Sequence, residues 1–417
     1  MKSQTLTLPL IAASARAARW LPSLSAKAGE RAVELALARV DEGRVRVTFP
    51  DGRRITCGAG PSNVTADLII QAPGFYRRIL TGGTVGFAEG FVDGDWDSPD
   101  LPRLLRVLAG SVGHVREQVA THWLVALGRR LGHRRNANSR RGSQRNIAFH
   151  YDLGNDFYGH WLDRSMTYSA ALFETPDMPL EAAQAAKYHR LARVLDLKPG
   201  QHVLEIGCGW GGFAEIAARD YGCRVTALTL SREQEAHARQ RMADAGLADR
   251  VDIRLQDYRD ARGTYDAIAS IEMFEAVGED HWPIYFDVVR DRLKPGGRAG
   301  LQVITIDNDG FAHYRNTPDF IQSYIFPGGM LPSPRVLEDR IRDASLHLTS
   351  SFTFGADYAR TLVHWRNAFT AAWPEIHASG FDDRFRRIWL YYLAYCEAGF
   401  HAGRIDVGHY LIERNAG

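Results

Sequence analysis

The chain has 417 residues, 45% of them hydrophobic and 24% charged, which is more than one domain of usual size holds and enough for two or three. That composition excludes a collagen, a disordered tail and a disulfide-stapled miniprotein, and no apolar run approaches the ~18 residues of a spanning helix. Fifty-one Lys and Arg against 49 Asp and Glu leave a net charge of +2, so the total predicts no polyanionic partner.

The opening MKSQTLTLPLIAASARAARWL has one Lys and an Arg-interrupted apolar run, and reads as an uncleaved amphipathic start rather than a signal peptide. Residues 1–110 are predicted to form a small α+β domain. AGERAVELALARV has helical spacing, and GRVRVTFPDGRRITCG alternates apolar positions around a Pro50-Asp51-Gly52 turn, the pattern of a hairpin. VTADLIIQ and the Gly-rich GGTVGFAEGFVDGDWDSPD follow. Residues 111–145 read as a linker, since seven arginines (129, 130, 134, 135, 140, 141 and 145) and no acid fall between Arg129 and Arg145. Such a strip is either a solvated tether or a surface drawn to an anionic membrane, at about 1 kcal/mol per Arg near the headgroups. Nucleic acid is disfavoured, because no aromatic side chains interleave as stacking platforms.

From 146 to 417 the pattern changes. QHVLEIGC, RVTALTL, VDIRLQD, YDAIASI and GRAGLQVITI are short β-branched runs, with helical stretches such as FAEIAARDYG and SREQEAHARQRMADAG between them. This is the βαβ signature of a doubly wound, mostly parallel sheet. A long helical insertion near 358–398 precedes HYLIERN, which reads as a last strand. Cys57, Cys208, Cys223 and Cys396 are scattered without metal-ligand spacing, so no metal site is expected and free thiols in a cytoplasmic protein are.

The most informative stretch runs from Val203 to Gly212, where a strand passes straight into glycines and then a helix. Gly207, Gly209 and Gly212 match G-x-G-x-x-G, so a nicotinamide enzyme has to be considered. Such a site wants an acid at the end of the next strand, about 20 residues on. Here that strand ends in Thr229-Leu230-Ser231, and the next acid is Glu233 inside the following helix. Glu205, just before the first glycine, instead gives E-x-G-x-G-x-G, which looks like the first motif of class I S-adenosylmethionine methyltransferases. Asp257 after the third strand and Glu272 at the end of the fourth lie where doubly wound sheets put ligands. A plain surface acid is the alternative for Glu272.

On these residues the chain resembles the cyclopropane-fatty-acyl-phospholipid synthase family. The matching segments are HYDLGNDFY (150–158), MTYS (166–169), LEIGCGWGGF (204–213), TLSREQ (229–234), LQDYRD (255–260), MFEAVG (273–278), YIFPGGMLPS (324–333) and FGADYARTL (354–362). The resemblance implies a Rossmann-like, seven-stranded class I methyltransferase domain behind the α+β domain. It implies that Tyr168, Ser169, Gly207, Cys208, Gly209, Gly211, Thr229, Leu230, Gln234, Gln256, Asp257, Tyr258 and Glu272 hold S-adenosylmethionine. Thr229 and Gln234 would then serve the ribose in place of the missing acid.

The reaction implied is methyl transfer to a cis double bond in a phospholipid acyl chain, leaving a cation that must lose a proton. That chemistry asks for an apolar channel, aromatic faces (Tyr168, Phe274, Tyr324, Phe326, Tyr358, Trp365) and a placed base. In the family the base is a bicarbonate, and Glu275 and Tyr358 match two of its holders. Cys396 falls where the family carries a Cys once proposed as catalytic, although alkene methylation needs no thiol. Partners implied are membrane acyl chains at an anionic inner surface, and a homodimer.

Three positions depart from the family pattern. Gln302 is assigned to the place of a bicarbonate-holding His, Ala276 replaces another His, and Tyr168-Ser169 is followed by Ala170 rather than Cys. Gln302 can donate a hydrogen bond but cannot shuttle a proton near neutral pH. The expectation is therefore divided between a cyclopropane product and a methyl-branched or methylene chain. A small-molecule methyltransferase and a non-enzymatic lipid-binding protein are the other classes to separate.

Overall fold

The computed structural model describes residues 26–61, 63–110 and 153–416; the Arg129–Arg145 strip and the expected amphipathic start lie outside them. Helix α1 (Ala26–Leu37) turns Val33 and Leu37, one helical turn apart, inward. Strands β1 (Arg44–Thr48) and β2 (Arg54–Cys57) make the expected hairpin, with Gly52 at φ 85° in the turn. Strand β3 (Thr65–Ile70) runs parallel to β1. After helix α2 (Gly74–Val92) the two-residue β4 (Trp96–Asp97) completes a sheet of order β2-β1-β3-β4, and helix α3 (Leu101–Gly110) follows.

Most of the Gly-rich stretch is helical, against the cost of about 1 kcal/mol that each interior glycine carries. Close packing accounts for the glycines. A Cβ on Gly86 would stand 2.0 Å from the Arg78 carbonyl oxygen, and one on Gly90 3.0 Å from the Trp96 ring. Gly83, at φ 56° and ψ −135°, folds α2 into two short halves that lie against each other.

The second unit begins with α4 (Asn155–Gly159) and α5 (Leu180–Val194), then alternates β5 (His202–Ile206), α6 (Gly212–Arg219), β6 (Arg224–Thr229), α7 (Arg232–Asp244), β7 (Val251–Leu255), β8 (Tyr265–Ile271), α8 (Trp282–Arg292) and β9 (Leu293–Ile306). Helices α9 (Asn308–Asn316) and α10 (Pro334–Asp343), strand β10 (Leu346–Thr353), helices α11 (Gly355–Ala371), α12 (Trp373–Ala378) and α13 (Asp383–His401), and strand β11 (Ile405–Arg414) complete it. The seven strands are ordered β10-β11-β9-β8-β5-β6-β7, with β11 antiparallel to both neighbours. HYLIERN is the expected last strand. The order reverses between β5 and β8, which opens a crevice at their carboxyl ends.

The two units share a core. Trp96 and Phe91 of the first unit pack with Tyr391 and Trp389 of α13 in one continuous apolar cluster. Arg387 donates to the carbonyls of Phe91 and Trp96, at 2.5 and 3.1 Å, and pairs with Asp97 at 3.2 Å. Tyr324 donates to Glu89 at 2.7 Å. Among the described residues, no helix is long and apolar enough to cross a membrane.

Candidate active site

At the end of β5 the chain turns through Gly207 (φ 82°), Gly209 (φ 52°) and Gly211 (φ 87°). A Cβ on Gly207 would lie 2.6 Å from Met273, so the turn presses against the segment that follows β8. Beside it, Glu205 is 2% exposed and its Oε2 has no hydrogen-bond partner. Burial pushes its pKa well above the usual carboxylate range, while Arg241 and the Ala214 amide pull it back.

This turn forms one end of a cavity of about 850 Å³. Tyr168, Ser169, Gly207, Cys208, Gly209, Thr229, Leu230, Gln234, Gln256, Tyr258 and Glu272 all stand on its wall. Thr229 donates to Gln234 at 2.9 Å, and Ser231 caps α7 by accepting from the Gln234 amide at 3.3 Å, so the β6–α7 corner is internally braced. Two of the expected cofactor residues stand off the wall. Gly211 backs onto Ala238, and Asp257 accepts from Arg259 through Nε at 2.8 Å and Nη2 at 2.6 Å. That pairing makes Asp257 a brace for the turn after β7.

The same cavity continues past Glu275, Ile304, Tyr358 and Cys396 and into the first unit, where Val33, Leu37, Phe75, Ile79, Leu105 and Leu108 line it. Of the expected aromatic faces, Tyr168, Phe326 and Tyr358 line the cavity. Trp365 and Phe274 are packed in the core, and Tyr324 serves the contact between units.

Two carboxylates on this wall have opposite surroundings. Glu272, at φ 49°, is the residue just after β8. Its Oε1 accepts from the Ala170 amide at 2.8 Å and Gln302 Nε2 at 2.7 Å, and its Oε2 from the Tyr358 hydroxyl at 2.8 Å. Gln302 is fully buried and stands behind Glu272 rather than on the wall. Its far end meets His409, directly opposite on β11, at 2.9 Å, and His409 Nδ1 meets Arg190 at 2.9 Å. Burial pushes His409 down to about 3, so the ring is neutral. Lys187, wholly buried on α5, donates to Ser169 Oγ. Burial holds Lys187 down at about 7, with the Glu272 charge acting in the opposite sense.

Glu275 differs. Its Oε1 accepts from the Ile304 amide at 2.5 Å, whereas its buried Oε2 has no partner. Burial, with the nearby Glu272 charge adding to it, raises its pKa to about 8. The β9 residue that meets Glu275 is Ile304, through its backbone amide, while Gln302, assigned to the place of a bicarbonate-holding His, meets Glu272. Tyr358 is turned to Glu272, and burial keeps its hydroxyl well above the usual range for a phenol. The Cys396 thiol is pushed up by burial in the same way, which keeps it protonated.

A model of the mycolic acid cyclopropane synthetase family matches residues 138–410. The chain belongs to this family. Tuberculostearic acid methyltransferase UfaA1 of Mycobacterium tuberculosis is 40% identical over 378 residues, 89% of this chain and 88% of that protein. The cyclopropane-fatty-acyl-phospholipid synthase of Escherichia coli is 37% identical over 350 residues, 84% and 88% of the two chains. The crystal structure of mycolic acid cyclopropane synthase CmaA1 complexed with SAH and CTAB superposes with a TM-score of 0.62 at 31% identity, covering 65% of this chain and 98% of that one. The fold is that of class I methyltransferases, and the chain is a methyltransferase.

Lys187, His409, Arg190 and Ile304 were not singled out from sequence. A buried Lys among alanines on α5 carries a weak local signal, and the His409–Gln302 pairing depends on which strands become neighbours.

Proposed function

We propose that this protein transfers a methyl group from S-adenosylmethionine to the double bond of an unsaturated fatty acyl chain. One observation carries the reading: a single cavity joins the glycine turn to an apolar chamber built by both units. The cofactor, when bound, supplies an electrophilic sulfonium methyl. The residues fit it: the unpartnered Glu205 oxygen suits an ammonium, and the positive-φ glycines let the backbone come close to a ligand. Phe326, Tyr168 and Tyr358 give the chamber aromatic faces for a cationic chain.

The residues fit bicarbonate poorly. Tyr358 gives its hydroxyl to Glu272, Gln302 stands behind that carboxylate, and Ile304 and Ala276 present apolar side chains to the cavity. No step is therefore assigned to bicarbonate. This favours proton loss without ring closure, giving a methyl-branched or methylene chain, as the name of UfaA1 also suggests. The cyclopropane product is the second reading, favoured by the name of the E. coli relative.

Substrate entry from a membrane surface is part of the proposal. Leu35 and Leu80, on the cavity wall in the first unit, are 54% and 36% exposed, and seven arginines lie between Arg129 and Arg145. Gas chromatography–mass spectrometry of lipids from a host expressing the chain tests the reading. New methylated acyl chains are expected. A clean cyclopropane product overturns the open-chain outcome, and no lipid change overturns the acyl substrate.

A further inference from the structure

Glu272 occupies a backbone conformation that a non-glycine residue enters at a cost of about 1–2 kcal/mol, and it is held there by its side chain. Its two oxygens accept three hydrogen bonds, from the Ala170 amide, the Gln302 side-chain amide and the Tyr358 hydroxyl. The direction of the Gln302 bond is fixed from outside. Arg190 can only donate, so His409 Nδ1 accepts, His409 Nε2–H donates to Gln302 Oε1, and the Gln302 amide nitrogen must face Glu272. A chain of donors running inward from Arg190 thus ends on one carboxylate. Lys187 gives its hydrogen bond to Ser169 and leaves both Glu272 oxygens to the other donors.

The position of this carboxylate matters as much as its partners. It lies at the carboxyl end of β8, at the point where strand order reverses. The glycine turn presses on the next residue, Met273, and Glu275 and the acyl chamber follow three residues later on the same wall. Tyr168 and Ser169 approach from the other side, through the Ala170 amide bonded to Glu272. Burial raises the Glu272 pKa, and the Lys187 charge and the three hydrogen-bond donors act in the opposite sense, toward the carboxylate form. The group adjoins both the glycine turn and the apolar chamber.

We propose that Glu272 is the counter-ion for the positive charge of the reaction, and that Gln302 is its positioning residue. This rests on the proposed methyl transfer from S-adenosylmethionine. S-adenosylhomocysteine has the same portions but no charge on sulfur, so a counter-ion distinguishes the two ligands and a structural residue does not. A charge pair across a partly buried site at an effective dielectric near 20 predicts a difference of about 10- to 100-fold.

The test is calorimetric binding of both ligands to the full chain and to Glu272→Gln. In that variant the Tyr358 hydroxyl can turn to accept from the new amide. Loss of about 10-fold or more in affinity for S-adenosylmethionine, with less than about 3-fold for S-adenosylhomocysteine, is the expected result. Equal losses, or no loss in either, overturn the proposal. Should Glu272→Gln fail to fold, Gln302→Leu decides in the same assay: a smaller loss confined to S-adenosylmethionine supports it, and an equal loss overturns it. If the unaltered chain binds neither ligand, the methyl-donor reading falls and takes the counter-ion with it. Binding of both with unchanged selectivity in the variants removes the counter-ion alone.

Discussion

Glu275→Gln removes a titrating group and keeps its shape, which makes it the sharpest probe of the site. In the folded chain this carboxyl titrates at about 8 against a reference of 4.5, because Oε2 is buried without a partner. Between those two values the folded protein keeps a proton that the unfolded chain has released. Its stability contribution is therefore full below about 4.5 and is lost as pH rises through 8. From about pH 6 to about pH 9, the loss from this one group comes to about 3 kcal/mol. Lys187 runs the other way: lowered from 10.5 to about 7, it makes the fold more stable as pH rises between those values. Both proteins carry Lys187, so its effect cancels in their difference. The assay is urea unfolding of the two proteins at each pH. Wild-type stability relative to the variant is expected to fall by about 3 kcal/mol from the lower pH to the higher. A difference that stays constant within about 0.5 kcal/mol would refute the placing of a protonated carboxyl at this point in the cavity.

Cys396→Ala is expected to keep methyl transfer within about 3-fold, since its buried thiol stays protonated and the reaction needs no nucleophile; a loss above about 100-fold in product yield would show otherwise. Gly207→Ala should weaken S-adenosylmethionine binding at least about 10-fold, because φ 82° strains alanine and the new Cβ meets Met273; calorimetry reads the loss. Leu35→Asp with Leu80→Asp should weaken cosedimentation with anionic liposomes and leave S-adenosylmethionine affinity unchanged, and undiminished cosedimentation would move the membrane contact elsewhere.

How far the sequence could be read depended on how local each signal was. The glycine turn and the strands around it announce themselves, because β-branched runs and consecutive glycines have few other uses. Strand β10 passes unnoticed: LHLTSSFT lies at the sheet edge with all but two residues from Leu346 to Thr353 exposed, so alternation has nothing to bury. The Gly-rich α2 is hidden by its own composition, since close contacts with Arg78 and Trp96 outweigh poor helix propensity. On β9, Gln302 and Ile304 share a face two residues apart, yet one meets Glu272 and the other Glu275. A register of two residues separates a polar brace from an apolar cavity wall, and only the folded sheet decides it.

The chamber wall supplied by α1, α2 and α3 separates two tasks within one molecule. Phe75, Ile79, Leu105 and Leu108 shape the far end of the cavity, while the end at the glycine turn is lined by residues of the other unit. Changes of side-chain volume in the first unit can thus retune which chain length fits without disturbing the groups around Glu272 and Glu275. The shared core sets the limit on that freedom: Arg387 and Trp96 tie chamber and catalytic unit together, so the chamber can be recarved but not detached.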